Sequence, residues 1–175
     1  MSQLLKAALA GLLSIGIALG VAAPGAAATT GNETFRGVIV ASGSSGDRVV
    51  VASTVIAKGI FKGVGRIVEI PNQPGDPDNV ARDDLVFADG TMHLVTTTLD
   101  ASFSVNPHSC VFTTTLQQAG TIADGTGRFE STTGSTTATL TTRGLLARNS
   151  DGSCSFEQTA ILDVDTFTAT GSLSF

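Results

Sequence analysis

Tryptophan and tyrosine are absent, and nine phenylalanines supply all the aromatic content. Sites that stack a sugar ring usually use an indole or phenol, so a sugar-binding platform and an avidin-like ligand cage are both disfavoured. There are only two histidines, His93 and His108, and no G-x-S-x-G segment, which leaves a Ser-His-acid hydrolase little to work with. Ten basic residues stand against fifteen acidic ones, for a net charge of −5, and no basic run occurs. Phosphates would be repelled, which excludes nucleic acid and an anionic membrane surface as expected partners. Two cysteines without a neighbouring His or Cys motif do not make a metal-ligand set, so no metal and no cofactor are expected.

Long apolar runs are also missing, with one exception at the start. Residues 7–23 are uncharged and apolar, Lys6 precedes them, Pro24-Gly25 breaks the run, and Ala26-Ala27-Ala28 offers a small-residue cleavage site. Residues 1–28 read as a secretory signal peptide rather than a membrane anchor, because the run is short and no positive cluster follows it. The expected product is a secreted, extracellular single domain spanning 29–175, with nine basic and fifteen acidic residues and no membrane association after cleavage. An oxidising compartment favours a bond between Cys110 and Cys154, with two buried thiols as the alternative. Each cysteine follows a turn, Asn106-Pro107 and Asp151-Gly152. Each also shares the parity of large apolar residues after it, Phe112 and Leu116 in one case, Phe156 and Leu162 in the other.

What is abundant is threonine, valine and glycine in short alternating segments. Helical periodicity is almost absent after residue 28. Extended segments alternate with turn signals, which predicts an all-β fold, a closed antiparallel barrel of eight or nine strands. The segments expected are Thr34 to Ser42, Arg48 to Ala57, Phe61 to Ile70, Asp84 to Ala88, Thr91 to Leu99, Ala101 to Val105, Cys110 to Gln118, Ser135 to Arg148, and a last region from Cys154. In that last region Phe156, Ala160, Leu162 and Val164 are in phase. The phase then shifts near Asp165-Thr166 to Phe167, Ala169, Leu173 and Phe175, implying a bulge or break. Gly63 and Gly65 fall on one strand face, suggesting close approach by another backbone or a phenylalanine ring.

The clearest hairpin is centred on Asp89-Gly90. A two-residue turn there would place Val86 opposite His93 and Leu85 opposite Leu94, put Leu85, Phe87, Met92 and Leu94 on the core face, and turn His93 outward. The Pro71 to Asp83 loop holds or adjoins Asp76, Asp78, Asp83 and Asp84. Calcium is conceivable there, but the spacing is not that of an EF-hand, and a solvated acidic loop is the better reading. Two residues stand as weak catalytic candidates. Glu69 shares a face with Gly63, Gly65 and Ile67 and could act as acid or base if it points into a cavity. His93 is the other. Surface or structural roles are the commoner outcome for both.

The tightest turn chemistry lies in Ala123 to Gly134, A-D-G-T-G-R-F-E-S-T-T-G, where Gly125, Gly127 and Gly134 are expected structural turn positions. This segment resembles a pattern of dirigent proteins and allene oxide cyclases, in which G-T-G-x-F leads from a glycine-rich turn into a strand. Phe87 to His93 and Asp151 to Cys154 are similar to segments of secreted actinobacterial proteins of unassigned role. The resemblance covers about the C-terminal half of residues 29–175. It implies a calycin-like, allene oxide cyclase-like barrel of eight strands with an apolar cavity, often trimeric, and so a possible homo-oligomer. The residues those plant enzymes use for chemistry lie outside the motif, and none is carried over. Three functions follow as expectations: a barrel binding a small apolar molecule, a cofactor-free cyclase or isomerase, or a structural barrel with a filled core. A filled interior would remove the first two. A polar group deep in an apolar cavity would favour the enzyme.

Overall fold

A computed structural model describes residues 29–43 and 46–175. The signal-peptide reading of residues 1–28 lies outside the described residues. Eight strands run up and down in chain order and close into one antiparallel barrel. They are β1 (Thr30–Ser42), β2 (Val49–Lys58), β3 (Lys62–Ile70), β4 (Val80–Phe87), β5 (Gly90–Val105), β6 (Val111–Gly125), β7 (Thr133–Leu145) and β8 (Leu162–Ser174). A single 3-10 turn at Gly127–Phe129 links β6 to β7. Closure comes from β8 pairing along the whole of β1, Thr30 with Ser174 through Ser42 with Leu162. Valine and threonine suit such pleated surfaces, and closure leaves no free sheet edge where the ladders are complete.

One end of the barrel is filled. Phe61 sits in the β2–β3 turn with its ring 5.1 Å from Phe87 and from Phe129, 6.2 Å from Phe175 and 6.3 Å from Phe35. Leu85, Met92, Ile122 and Leu173 pack against these rings. The Arg128 guanidinium lies over Phe61, Phe129 and Phe175 at 5.6–6.0 Å and covers the plug from outside. Glu33 is buried there and holds the turn. Its carboxylate accepts from the Phe61 amide at 3.1 Å and the Thr34 amide at 3.0 Å. Thr29 and Phe175 exchange backbone hydrogen bonds at this same end.

Gly63 and Gly65 leave room for aromatic packing. A Cβ on Gly65 would lie 2.9 Å from the Phe87 ring and 2.4 Å from the Val86 carbonyl. At the 3-10 turn, Gly127 has φ +59°, and a Cβ there would meet the Asp89 carbonyl at 2.4 Å.

Several expected boundaries are corrected. Residues 90–105 form one strand, with a bulge at Leu99 in place of a break. The β4–β5 connection is Ala88-Asp89, so Leu85 opposes Met92 and Asp84 opposes His93. The shift is even, and the face assignment therefore survives: Leu85, Phe87 and Met92 are buried. The cause is a contact distant in sequence. The Asp89 carbonyl accepts from the Arg128 amide at 2.9 Å, and Thr126 bonds with Thr91. This locks the turn one step earlier.

The last region is corrected more deeply. Residues 146–161 form a long connection, Cys154 joins only an isolated bridge with Arg148, and Phe156 is 65% exposed. β8 keeps a single phase with no break. Asp163 and Asp165 face inward with Phe167, Ala169 and Leu173, while Leu162 faces out.

Candidate functional site

The other end of the barrel is not filled. A chamber of about 560 Å³ opens there, with apolar walls that include Ile39, Val80, Phe112, Leu116 and Leu140. The interior therefore divides into an aromatic plug and a part-polar chamber. Thr159 and Ala160, from the 146–161 connection, overhang the chamber. This overhang is fixed at several points. Cys110 and Cys154 are disulfide-bonded with Cα atoms 5.4 Å apart, and they pack with Phe112 and Leu146 in a second small core. The Gly43 amide donates to the Ile161 carbonyl, and the Thr159 hydroxyl donates to the Gly46 carbonyl.

The polar part of the chamber is built around Arg48, just before β2. Its Nε donates to both oxygens of Asp163 at 3.2 Å, and Nη2 donates to Asp163 at 3.0 Å and Asp165 at 2.7 Å. Nη1 pairs with Glu69. One planar fork thus serves three carboxylates on β3 and β8. Burial works against the charge on Arg48, but the hydrogen bonds to Asp163 and Glu69 outweigh it and hold the guanidinium above its ordinary pKa. The arginine makes it tolerable for two aspartates to point into the barrel, and Asp163 is only 3% exposed. Burial still pushes the Asp165 carboxyl up, against a Thr142 hydrogen bond and the Arg48 charge.

Asp83 completes the group. It lies on β4 directly opposite Glu69 on β3, and both line the chamber. Burial first, then the neighbouring Glu69 charge, raises its carboxyl to about 6. Arg82, on the same strand, is engaged elsewhere, with Asp76 accepting its Nε and Nη2 at 2.7 and 2.9 Å. That pairing, reinforced by the Gln73 amide, holds Asp76 down at about 2.

Of the two catalytic candidates, the structure brings Glu69 to the chamber and leaves His93 outside it. His93 lies on the outer face, 44% exposed, with Nδ1 2.6 Å from Asp84 Oδ1. His108 is also outside, in the β5–β6 loop. The four acids considered for calcium are dispersed. Asp76 and Asp78 are in the loop, while Asp83 and Asp84 lie on opposite faces of β4, Asp83 lining the chamber and Asp84 meeting His93. Among the described residues no group of three or more His, Cys, Asp or Glu is placed to hold a metal ion. Of the three expected turn glycines only Gly127 lies in the β6–β7 connection; Gly125 ends β6 and Gly134 is already paired in β7, and none of them lines the chamber.

Sequence reasoning missed Arg48, Asp163 and Asp165, and placed Asp83 in a loop. A usable signal existed for the aspartates. The Phe167–Ala169 phase, carried backwards, passes through Asp165 and Asp163. Comparison of the chain with family models, curated proteins and solved structures finds no match.

Proposed function

We propose that this protein is a secreted small-molecule-binding barrel whose ligand occupies the chamber at the open end. The observation that supports this reading is the divided interior. One end is closed by packed rings, yet about 560 Å³ remains at the other, enough for one small ligand in a barrel of this size. The apolar walls suit an apolar ligand body. The Asp83 carboxyl, in the chamber lining, suits a donor group on that ligand. The disulfide and the absence, among the described residues, of a helix long and apolar enough to cross a membrane accord with an extracellular location. Mass spectrometry under native conditions, on protein collected from its host's medium, tests the reading. A stoichiometric small adduct, lost in the chamber variant Leu140→Arg, is expected. An adduct-free protein that also binds nothing from an apolar compound library would overturn it.

A cyclase or isomerase of the allene oxide cyclase type is the second reading. It is favoured by one observation, the placement of Asp83, whose carboxyl burial raises to about 6, in the chamber lining directly opposite Glu69. A carboxyl that takes up a proton near pH 6 inside a chamber can serve as a general acid or base toward a bound substrate. On this reading Asp83→Asn abolishes turnover of a bound substrate while leaving its binding within a few-fold.

A further inference from the structure

The barrel is not closed equally on all sides. β6–β7, β7–β8 and β8–β1 are laced by ladders of twelve or thirteen residue pairs. β2 and β3 share four pairs, Val55 with Gly65 through Lys58 with Lys62. Beyond them both strands continue, each held by its other neighbour: β2 by β1 as far as Val49, and β3 by β4 as far as Ile70. Among the described residues no ladder joins Val49–Thr54 to Arg66–Ile70.

At the point of parting a side chain takes over from the backbone. The Ser53 hydroxyl donates to the Ile67 carbonyl at 2.7 Å and accepts from the Ile67 amide at 3.0 Å. Past Ser53 a lateral groove of about 560 Å³ separates the strands. Val49 and Val51 give it an exposed apolar lip, Val51 being 62% exposed. The groove and the chamber share two lining residues, Arg48 and Glu69, and these form the ion pair that reaches from the residue before β2 to β3. The other route into the chamber is overhung by Thr159 and Ala160, on a segment pinned by the disulfide and by hydrogen bonds to Gly43 and Gly46.

We infer that the β2–β3 seam is a side door through which ligands reach the chamber, with the Arg48–Glu69 pair as the bar across it. Parting the seam breaks few backbone hydrogen bonds, because few are there. The β3–β4 ladder is nearly as short, with five pairs, but no groove opens along it; the remaining ladders, of eight to thirteen pairs, would lose many, and each buried amide or carbonyl left bare is costly. The pinned overhang and the lightly laced seam make the side wall the element that moves. This inference rests on the chamber being a ligand site.

The test uses N-phenyl-1-naphthylamine, a neutral dye that brightens in apolar surroundings, followed by stopped-flow fluorescence on the intact barrel. Ser53→Ala removes the bridging hydroxyl from the seam without touching the chamber lining. It should raise association and dissociation rates together by about two- to fivefold, with Kd within twofold. Ile56→Cys/Val64→Cys, an exposed registered pair of the seam, oxidised to a disulfide, should slow both rates at least tenfold relative to either single variant. Dye exchange at unchanged rates in the cross-linked protein would overturn the side door. Failure of the dye and of the compound library to bind at all would instead sink the ligand reading. The seam itself is then judged by hydrogen exchange. Ser53→Ala should speed exchange several-fold at the Val55–Lys58 and Lys62–Gly65 amides and leave the β7–β8 ladder unchanged. No change, or a uniform one, would overturn the inference whatever the dye does.

Discussion

Asp83 and Glu69 face each other across neighbouring strands on the inner side of the barrel. Like charges directly opposed destabilise a sheet, and burial adds to the cost of charging Asp83. The cost shows in the Asp83 carboxyl, which is raised to about 6 and so carries its charge at a penalty at neutral pH.

Stability should therefore rise on mild acidification. Asp83 titrates at about 6 folded against 3.8 as its ordinary value, so the folded state binds that proton more tightly. The stability gained is complete below pH 3.8 and lost as pH rises through 6. Asp165 shifts in the same direction. Asp76 has the opposite sign, its contribution being present above 3.8 and lost as pH falls towards 2. Thermal unfolding should show a maximum between about pH 4 and 5. Asp83→Asn should be more stable than wild type at pH 7.5 by up to about 2 kcal/mol, the shift discounted for partial exposure, and should flatten the slope between pH 7 and 5.

Arg48→Ala should destabilise the protein by about 2–4 kcal/mol, because Asp163 and Asp165 would lose their counter-charge in a buried place. The triple variant Arg48→Met/Asp163→Asn/Asp165→Asn should recover most of the loss in urea unfolding. Equal instability of the single and triple variants would show that the arginine acts by packing alone.

Breaking the bond between Cys110 and Cys154, 44 residues apart, should cost about 4 kcal/mol from released unfolded-chain entropy. For a domain of this length that is roughly 10 °C in Tm. Cys110→Ala/Cys154→Ala, scanned by calorimetry, checks it. A loss under about 1 kcal/mol would mean that the unfolded chain is already restricted there.

Gly127→Ala should cost roughly 1–3 kcal/mol, since its φ of +59° coincides with a carbonyl 2.4 Å from the new Cβ. Gly75→Ala, at φ +96° with nothing within 4 Å, should lose less. Chemical denaturation of the two side by side separates crowding from backbone strain.

The barrel was legible where apolar residues alternate without interruption. Leu85, Phe87 and Met92 declare their face, and Phe167, Ala169 and Leu173 declare theirs. The glycine pair in β3 announced a ring lying close, which is Phe87. The chamber was less legible because its polarity runs against that rule. Asp163 and Asp165 occupy inward positions that alternation reserves for apolar side chains, and the arginine that permits this is 115 and 117 residues away. Glu69 was readable as an inward candidate from its phase with Ile67, but its partners were not. The hairpin register was missed for a similar reason, since Arg128 sets it from outside the hairpin.

The aromatic plug also decides how this protein can be watched. With no tryptophan or tyrosine, all intrinsic aromatic signal comes from nine phenylalanines, and five of them, Phe35, Phe61, Phe87, Phe129 and Phe175, stand together at the closed end. Near-ultraviolet dichroism will therefore carry a large share from the plug, with the disulfide and Phe112 the chromophores beside the chamber. A ligand in the chamber would leave the plug's share of that spectrum almost still and act on it through Phe112. The same silence is useful at the other end, because an indole or naphthalene probe placed there has no competing fluorophore, and a single tryptophan introduced at Leu140 would speak for the chamber alone.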